Sequence, residues 1–116
     1  PSIRLRDRLL ASVASLEEQR AALGDAPTTE EFVDLSLRFY RAGRFEDCLE
    51  LCRRALDTDP TYVPAWNNAC AALNAMQRWD EAIAACERAV ALDPSHELAQ
   101  NNLAWALQQR AGVQTR

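Results

Sequence analysis

Glycine is scarce in this chain, with three residues in 116, and aromatic residues reach only 7%. Alanine is abundant in their place, which favours helices packed through small side chains over a sheet protein. Long apolar runs are missing, so no segment reaches the length of a transmembrane helix. An excess of cations is missing too: the net charge is -4. That argues against nucleic acid, whose binding rests on Lys and Arg neutralising phosphates, and against an anionic membrane surface. There is one histidine, and the four cysteines form no C-x-x-C pair and stand near no His at metal-ligand spacing. A Gly-rich phosphate loop and a nucleophile–base pair are absent as well. No catalysis, metal or cofactor is expected.

What is present is one stretch written twice. Thr29–Pro60 repeats as Val63–Pro94 at a period of 34 residues. Phe32 falls on Trp66, Phe39 on Leu73, Phe45 on Trp79, Cys52 on Cys86, Ala55 on Ala89 and Asp59-Pro60 on Asp93-Pro94. A third copy starts at Glu97 and stops half way, with Asn67-Asn68 falling on Asn101-Asn102. A period of this length means stacked supersecondary units that share a core.

Taken in order, residues 2 to 23 read as a helix with an apolar stripe of Leu5, Leu9, Val13, Leu16 and Leu23, closed by Gly24. The stripe is expected to seat on the first repeat, since a solenoid end needs a cover; seating on a second chain is the alternative. Arg4, Arg6 and Arg8 point in different directions around that helix and form no patch. Thr28 with Glu31 offers a capping box, and helix is expected from Thr29 to Ala42, with Gly43 ending it. Phe45–Thr58 is the antiparallel partner, stopped by Asp59-Pro60. The second unit repeats the plan, with Pro64 in the first turn and Gln77-Arg78 in place of the glycine. Ser95 is expected to cap a last helix to about Arg110, with Ala111 onward a fraying polar tail. The domain division is 1–24, 29–62, 63–96 and 97–112. The chain opens on Pro1 rather than Met and is expected to be a domain of a longer protein.

The two units resemble the tetratricopeptide repeat. The second reads Trp66-Asn67-Asn68-Ala69-Cys70-Ala71-Ala72-Leu73, then Ala82 to Cys86, Ala89 and Pro94; the first reads Phe32 to Phe39, then Cys48 to Cys52, Ala55 and Pro60. The resemblance implies an all-α fold, a right-handed superhelical stack of antiparallel helix pairs, with about six helices. Small residues are expected where helices cross closely: Ser36, Cys70 and Ala104 in first helices, and Cys48, Ala82, Ala55 and Ala89 in second helices. Cys48, Cys70 and Cys86 thereby fall in packing slots as small unpaired hydrophobes. Four unpaired thiols fit a reducing compartment such as the cytoplasm, with a periplasmic or extracellular chain carrying buried thiols left open.

In the family the first helices line a concave groove for an extended peptide or a partner helix. The resemblance places Asp34, Leu37 and Tyr40 there from the first unit, Asn67, Asn68 and Asn74 from the second, and Asn101, Asn102 and Trp105 from the half unit. Asp34, Asn68 and Asn102 stack into one row, similar to the asparagine ladder of the O-linked N-acetylglucosamine transferases. A side-chain amide offers donors and acceptors to any peptide backbone. Leu37, Tyr40 and Trp105 are candidate apolar anchors, the Trp105 ring being expected to be covered by its own helix neighbours. Chaperone-binding members clamp a terminal carboxylate with Lys and Arg on this face. The matching slots here hold Glu30 and Asp34, Pro64 and Asn68, and Leu98 and Asn102, with no cation among them. The expected partner is therefore a neutral or basic protein or peptide rather than an acidic C-terminal tail. Self-association as a homodimer, and a thiol-based redox protein, are the alternatives.

Overall fold

The computed structural model describes residues 2–22 and 24–114, the side chains of residues 2–6 and 9 excepted. Among the described residues all regular structure is helical: α1 (Ser2–Ala22), α2 (Thr29–Arg41), α3 (Phe45–Thr58), α4 (Val63–Ala75), α5 (Trp79–Leu92) and α6 (Glu97–Gln114).

The helix ends follow from local chemistry. Thr28 Oγ1 accepts the Glu31 backbone N–H at 3.1 Å, and Glu31 accepts the Thr28 N–H at 3.0 Å. This reciprocal box starts α2. Gly43, with φ of +76°, follows α2, and Gln77 takes φ of 59° at the same place one repeat later. The second turn is thus imposed by the packing of the helices it joins. Asp59 and Asp93 close α3 and α5, their N–H groups bonded to the carbonyls of Ala55 and Ala89. Each carboxylate then accepts from the residue two ahead, Thr61 or Ser95.

That turn corrects two expectations. The Ser95 hydroxyl donates to Asp93 at 2.7 Å, so α6 is capped instead by His96, whose Nδ1 accepts the Ala99 N–H at 3.1 Å. The stretch from Ala111 is helical as far as Gln114. Gln and Ala sustain a helix well, and one glycine costs it only about 1 kcal/mol.

Helices α2, α4 and α6 form one layer, α2 packing on α4 and α4 on α6; among the described residues α3 and α5 make no comparable contact with each other. Neighbours that meet on one side and diverge on the other curve the stack, with the layer of first helices inside. Two apolar clusters run through it. One joins Phe32, Leu51, Ala55 and Ala65 to Val13 of α1. The other holds Leu49, Leu73, Ile83 and Ala106 with all four cysteines. Ser36, Cys48, Ala55, Cys70, Ala82 and Ala89 are fully buried at the crossings, as their size requires. Ala104 is exposed, since among the described residues no second helix follows α6 to cover it.

The cysteines are not all free. Cys70 and Cys86 form a disulfide, their Cα atoms 5.4 Å apart, while Cys48 and Cys52 are buried thiols. The two partners lie 16 residues apart in sequence and meet across the α4–α5 crossing. A search for closely spaced cysteines misses such a pair. With it goes the premise of four unpaired thiols and the cytoplasmic preference built on it.

Helix α1 lies against the first helix pair. Val13 is buried there, Leu16 is half-buried, and Leu10 is exposed. Arg20 pairs with Glu31 at 2.7 Å, and Glu17 with Arg54 at 3.5 Å. The Leu5, Leu9, Arg4 and Arg6 side chains and Leu23 lie outside the described residues.

Candidate functional site

The nine groove candidates separate into three groups. Tyr40, Asn74, Asn102 and Trp105 meet at one cavity of about 410 Å³, lined also by Ala71, Ala75, Gln77, Trp79 and Gln109. Three first helices contribute to it, with the turn into α5. Asp34 belongs elsewhere: it lines a cavity of about 670 Å³ between α1 and α2, beside Glu31, Arg8 and Arg38. Leu37, Asn67, Asn68 and Asn101 line neither hollow; Asn101 is exposed, Leu37 and Asn68 are half-buried, and Asn67 is buried.

The amides are more engaged than free groove amides would be. Asn67 is 5% exposed and Asn74 9%. Asn102 donates to Asn67 Oδ1 at 3.0 Å, and Asn74 Nδ2 donates to the Asn102 backbone carbonyl at 3.1 Å. Asn68 donates to Ser36 Oγ at 3.4 Å. Asn67 and Asn74 are therefore buried amides rather than open ones, although Asn74 still lines the cavity. Helix α4 is covered by α2 on one flank and α6 on the other, so faces that are open on a terminal helix are closed on it. Within the Asp34, Asn68, Asn102 row, Asp34 is exposed and the two amides are half-buried. Their inter-helix bonds use one donor each and leave the Oδ1 atoms as acceptors.

Tyr40 packs edge-on against Phe45, ring centroids 5.4 Å apart. Trp105 is 52% exposed, against the expectation that its helix neighbours cover it. Those neighbours one turn away are Asn101, Asn102, Gln108 and Gln109, and among the described residues no further helix packs over the outer flank of α6. Trp79 was not a candidate from sequence, where it reads as the aromatic that opens α5. The turn through Gln77 folds it back beside Asn74 and Ala75; helical periodicity within α4 carries no sign of this.

Charge is distributed unevenly. No lining residue of the 410 Å³ cavity is ionisable apart from the Tyr40 phenol. The other end of the layer is acidic. Burial, and then the negative charges of Glu30, Asp34 and Asp59, push the Tyr62 phenol up from its ordinary value. Glu31 is held below the usual carboxylate range by its hydrogen bond from Arg20 and then by the Thr28 backbone N–H. The 34-residue period recurs as paired helices with small residues at their crossings, and a family model described as tetratricopeptide repeat matches residues 39–111.

The chain belongs to the tetratricopeptide repeat family. No curated protein matches its sequence. Solved repeat domains match its fold. The first TPR of Spaghetti (RPAP3), bound to the HSP90 peptide SRMEEVD, is 25% identical with a TM-score of 0.71, over 72% of this chain and 67% of that one. The second TPR of the same protein, bound to the same peptide, is 22% identical with a TM-score of 0.71, over 75% and 81%. The type III secretion translocator chaperone SycD of Yersinia enterocolitica, in an alternative dimer, is 22% identical with a TM-score of 0.68, over 72% and 63%.

Proposed function

We propose that this tetratricopeptide repeat chain is a non-catalytic protein-interaction module whose layer of first helices binds an extended peptide or a partner helix of neutral or basic character. One observation carries the reading: Tyr40 of α2, Asn74 of α4, and Asn102 and Trp105 of α6, three successive first helices, share one cavity on the inner layer. Half-exposed aromatics beside amide groups are the composition of interface anchors. The domains of Spaghetti (RPAP3) bind their peptide on the same fold, which supports the class of function and leaves ligand charge to this chain's own residues.

The test is selection of binders from a random peptide display library, followed by affinity measurement on variants. Trp105→Ala is expected to weaken selected peptides about tenfold or more, whereas Arg88→Ala, beside a separate hollow lined by Leu49, Trp66 and Ala84, leaves them unchanged. The opposite pattern would overturn the groove reading.

Self-association is the second reading. Helix α6 exposes Leu98, Trp105, Leu107 and Val113, more apolar surface than a solvated cover needs. Light scattering at two concentrations tests it: a mass that does not rise with concentration, and that equals one chain, excludes it.

A further inference from the structure

The cavity lined by α2, α4, α6 and the start of α5 combines a cluster of rings with an unpartnered buried acceptor. Its rings are Tyr40, Trp79 and Trp105, contributed by three different helices. Its lining also includes Asn74, whose Oδ1 is buried without a hydrogen-bond partner. Turning the amide over does not cure this. Nδ2 is held by the Asn102 carbonyl at 3.1 Å, and an oxygen in its place would face another acceptor. A buried acceptor left unpaired has given up its hydration for no partner. A ligand that brings a donor to it recovers part of that loss.

The choice of ligand follows from what each class would meet. An anion would find no cation in the lining. An apolar side chain would fill the space and leave the Asn74 oxygen unpaired. A cation on an apolar stem answers both features, because ring faces attract positive charge and an ammonium or guanidinium is rich in donors. The acidic far end of the layer, with Glu30 and Asp34, favours the same sign, and the chain's net charge of -4 adds to it.

Resting on the groove reading above, we propose that this cavity is the seat for a Lys or Arg side chain of the bound peptide. The aliphatic stem lies among Tyr40, Trp79 and Trp105, and an N–H of the charged head donates to Asn74 Oδ1. That oxygen is shielded from water in the free protein, and the half-exposed Trp105 ring gives the cavity the freedom to open around the ligand.

The chain carries its own control. Trp66 Nε1 donates to the Pro60 carbonyl at 2.8 Å, and Trp66 lines the separate hollow beside Arg88. Protein labelled with nitrogen-15 shows its indole N–H signals separately. It is titrated with acetyl-Ala-Arg-Ala-amide, its lysine counterpart, and the norleucine peptide that has the stem without the charge. The Arg and Lys peptides are expected to shift Trp79 and Trp105 saturably while Trp66 stays in place. They should bind about fivefold tighter than norleucine. Trp105→Leu keeps apolar bulk, sits on the surface and removes a ring face, and should erase that preference. Asn74→Leu should do the same, with circular dichroism confirming the fold. Norleucine binding as tightly as arginine overturns the cation site while leaving the groove reading intact. An arginine peptide that moves no indole, or moves Trp66 as much as Trp105, also overturns it. The groove reading itself falls only if display-selected peptides ignore Trp105→Ala.

Discussion

Cys70 is bonded to Cys86 across the α4–α5 crossing, at the place where Ser36 meets Cys52 one repeat earlier. The register of 34 residues carries Ser36 onto Cys70 and Cys52 onto Cys86. The first repeat therefore holds a half-built copy of the same cross-link. Ser36→Cys is expected to oxidise with Cys52, leaving one titratable thiol in the denatured variant instead of three; peptide mapping identifies the new pair. The added bond should stabilise by about 2–4 kcal/mol, measured by denaturant unfolding with and without reductant.

The native thiols behave differently from that bridge. Cys48 and Cys52 are fully buried, and the contact with Cys52, followed by burial, pushes the Cys48 thiol well above its ordinary value. Reaction with an aromatic disulfide reagent needs a thiolate and access. Both should label only as fast as the protein unfolds at neutral pH, and both at once in denaturant. Rapid native labelling would show that the first repeat opens far more readily than its packing implies.

Gln77 occupies the left-handed region where its repeat partner Gly43 stands. A side chain there costs about 1–2 kcal/mol, offset in part by the extra chain entropy that glycine loses on folding. Gln77→Gly is expected to raise stability by about 0.5–1 kcal/mol in urea unfolding, with an unchanged slope.

Glu31 joins two elements: it closes the α2 capping box and receives Arg20 of α1. Its lowered pKa means that its contribution is fully present above about pH 5 and is lost as pH falls through the folded-state value. Urea unfolding of the native chain should therefore lose stability on acidification. Glu31→Gln keeps a capping acceptor and loses the charge, so its deficit should be largest at neutral pH and shrink as pH falls through the folded-state value of Glu31. A deficit independent of pH would mean that the Arg20 link contributes nothing.

An acidic peptide separates this chain from the structures it is similar to. The slots that would meet a terminal carboxylate hold Glu30, Asp34, Pro64, Asn68, Leu98 and Asn102. The peptide SRMEEVD, seen bound in the Spaghetti (RPAP3) domains, is expected to show no saturable binding by calorimetry at physiological salt. Binding that depends on Asn68 would reverse the charge preference proposed here.

The repeat made the helices legible because its period fixes where apolar residues and stops recur. Phe32 and Trp66 sit in equivalent places, and α3 and α5 begin and end at the residues their aromatics and Asp-Pro pairs indicate. Side chains that act across repeats were harder to read. Asn67 and Asn74 have the spacing of groove residues, yet they face α6, and an amide's surroundings cannot be told from its period. The Cys70–Cys86 bond escaped for the opposite reason: both slots read correctly as buried, and their adjacency was visible only in three dimensions. Trp79 reached the candidate site through a turn, where no periodicity operates.

The amide clasp also has a mechanical consequence. Asn74 and Asn102 tie α4 to α6 with two hydrogen bonds of 3.1 and 3.0 Å, whereas among the described residues the side-chain link from α4 to α2 is the 3.4 Å contact of Asn68 with Ser36. The two joints of the spiral thus differ in stiffness. Bending strain should collect at the first joint while the second moves as one block, so a ligand spanning the layer would meet a rigid floor at one end and an adjustable one at the other.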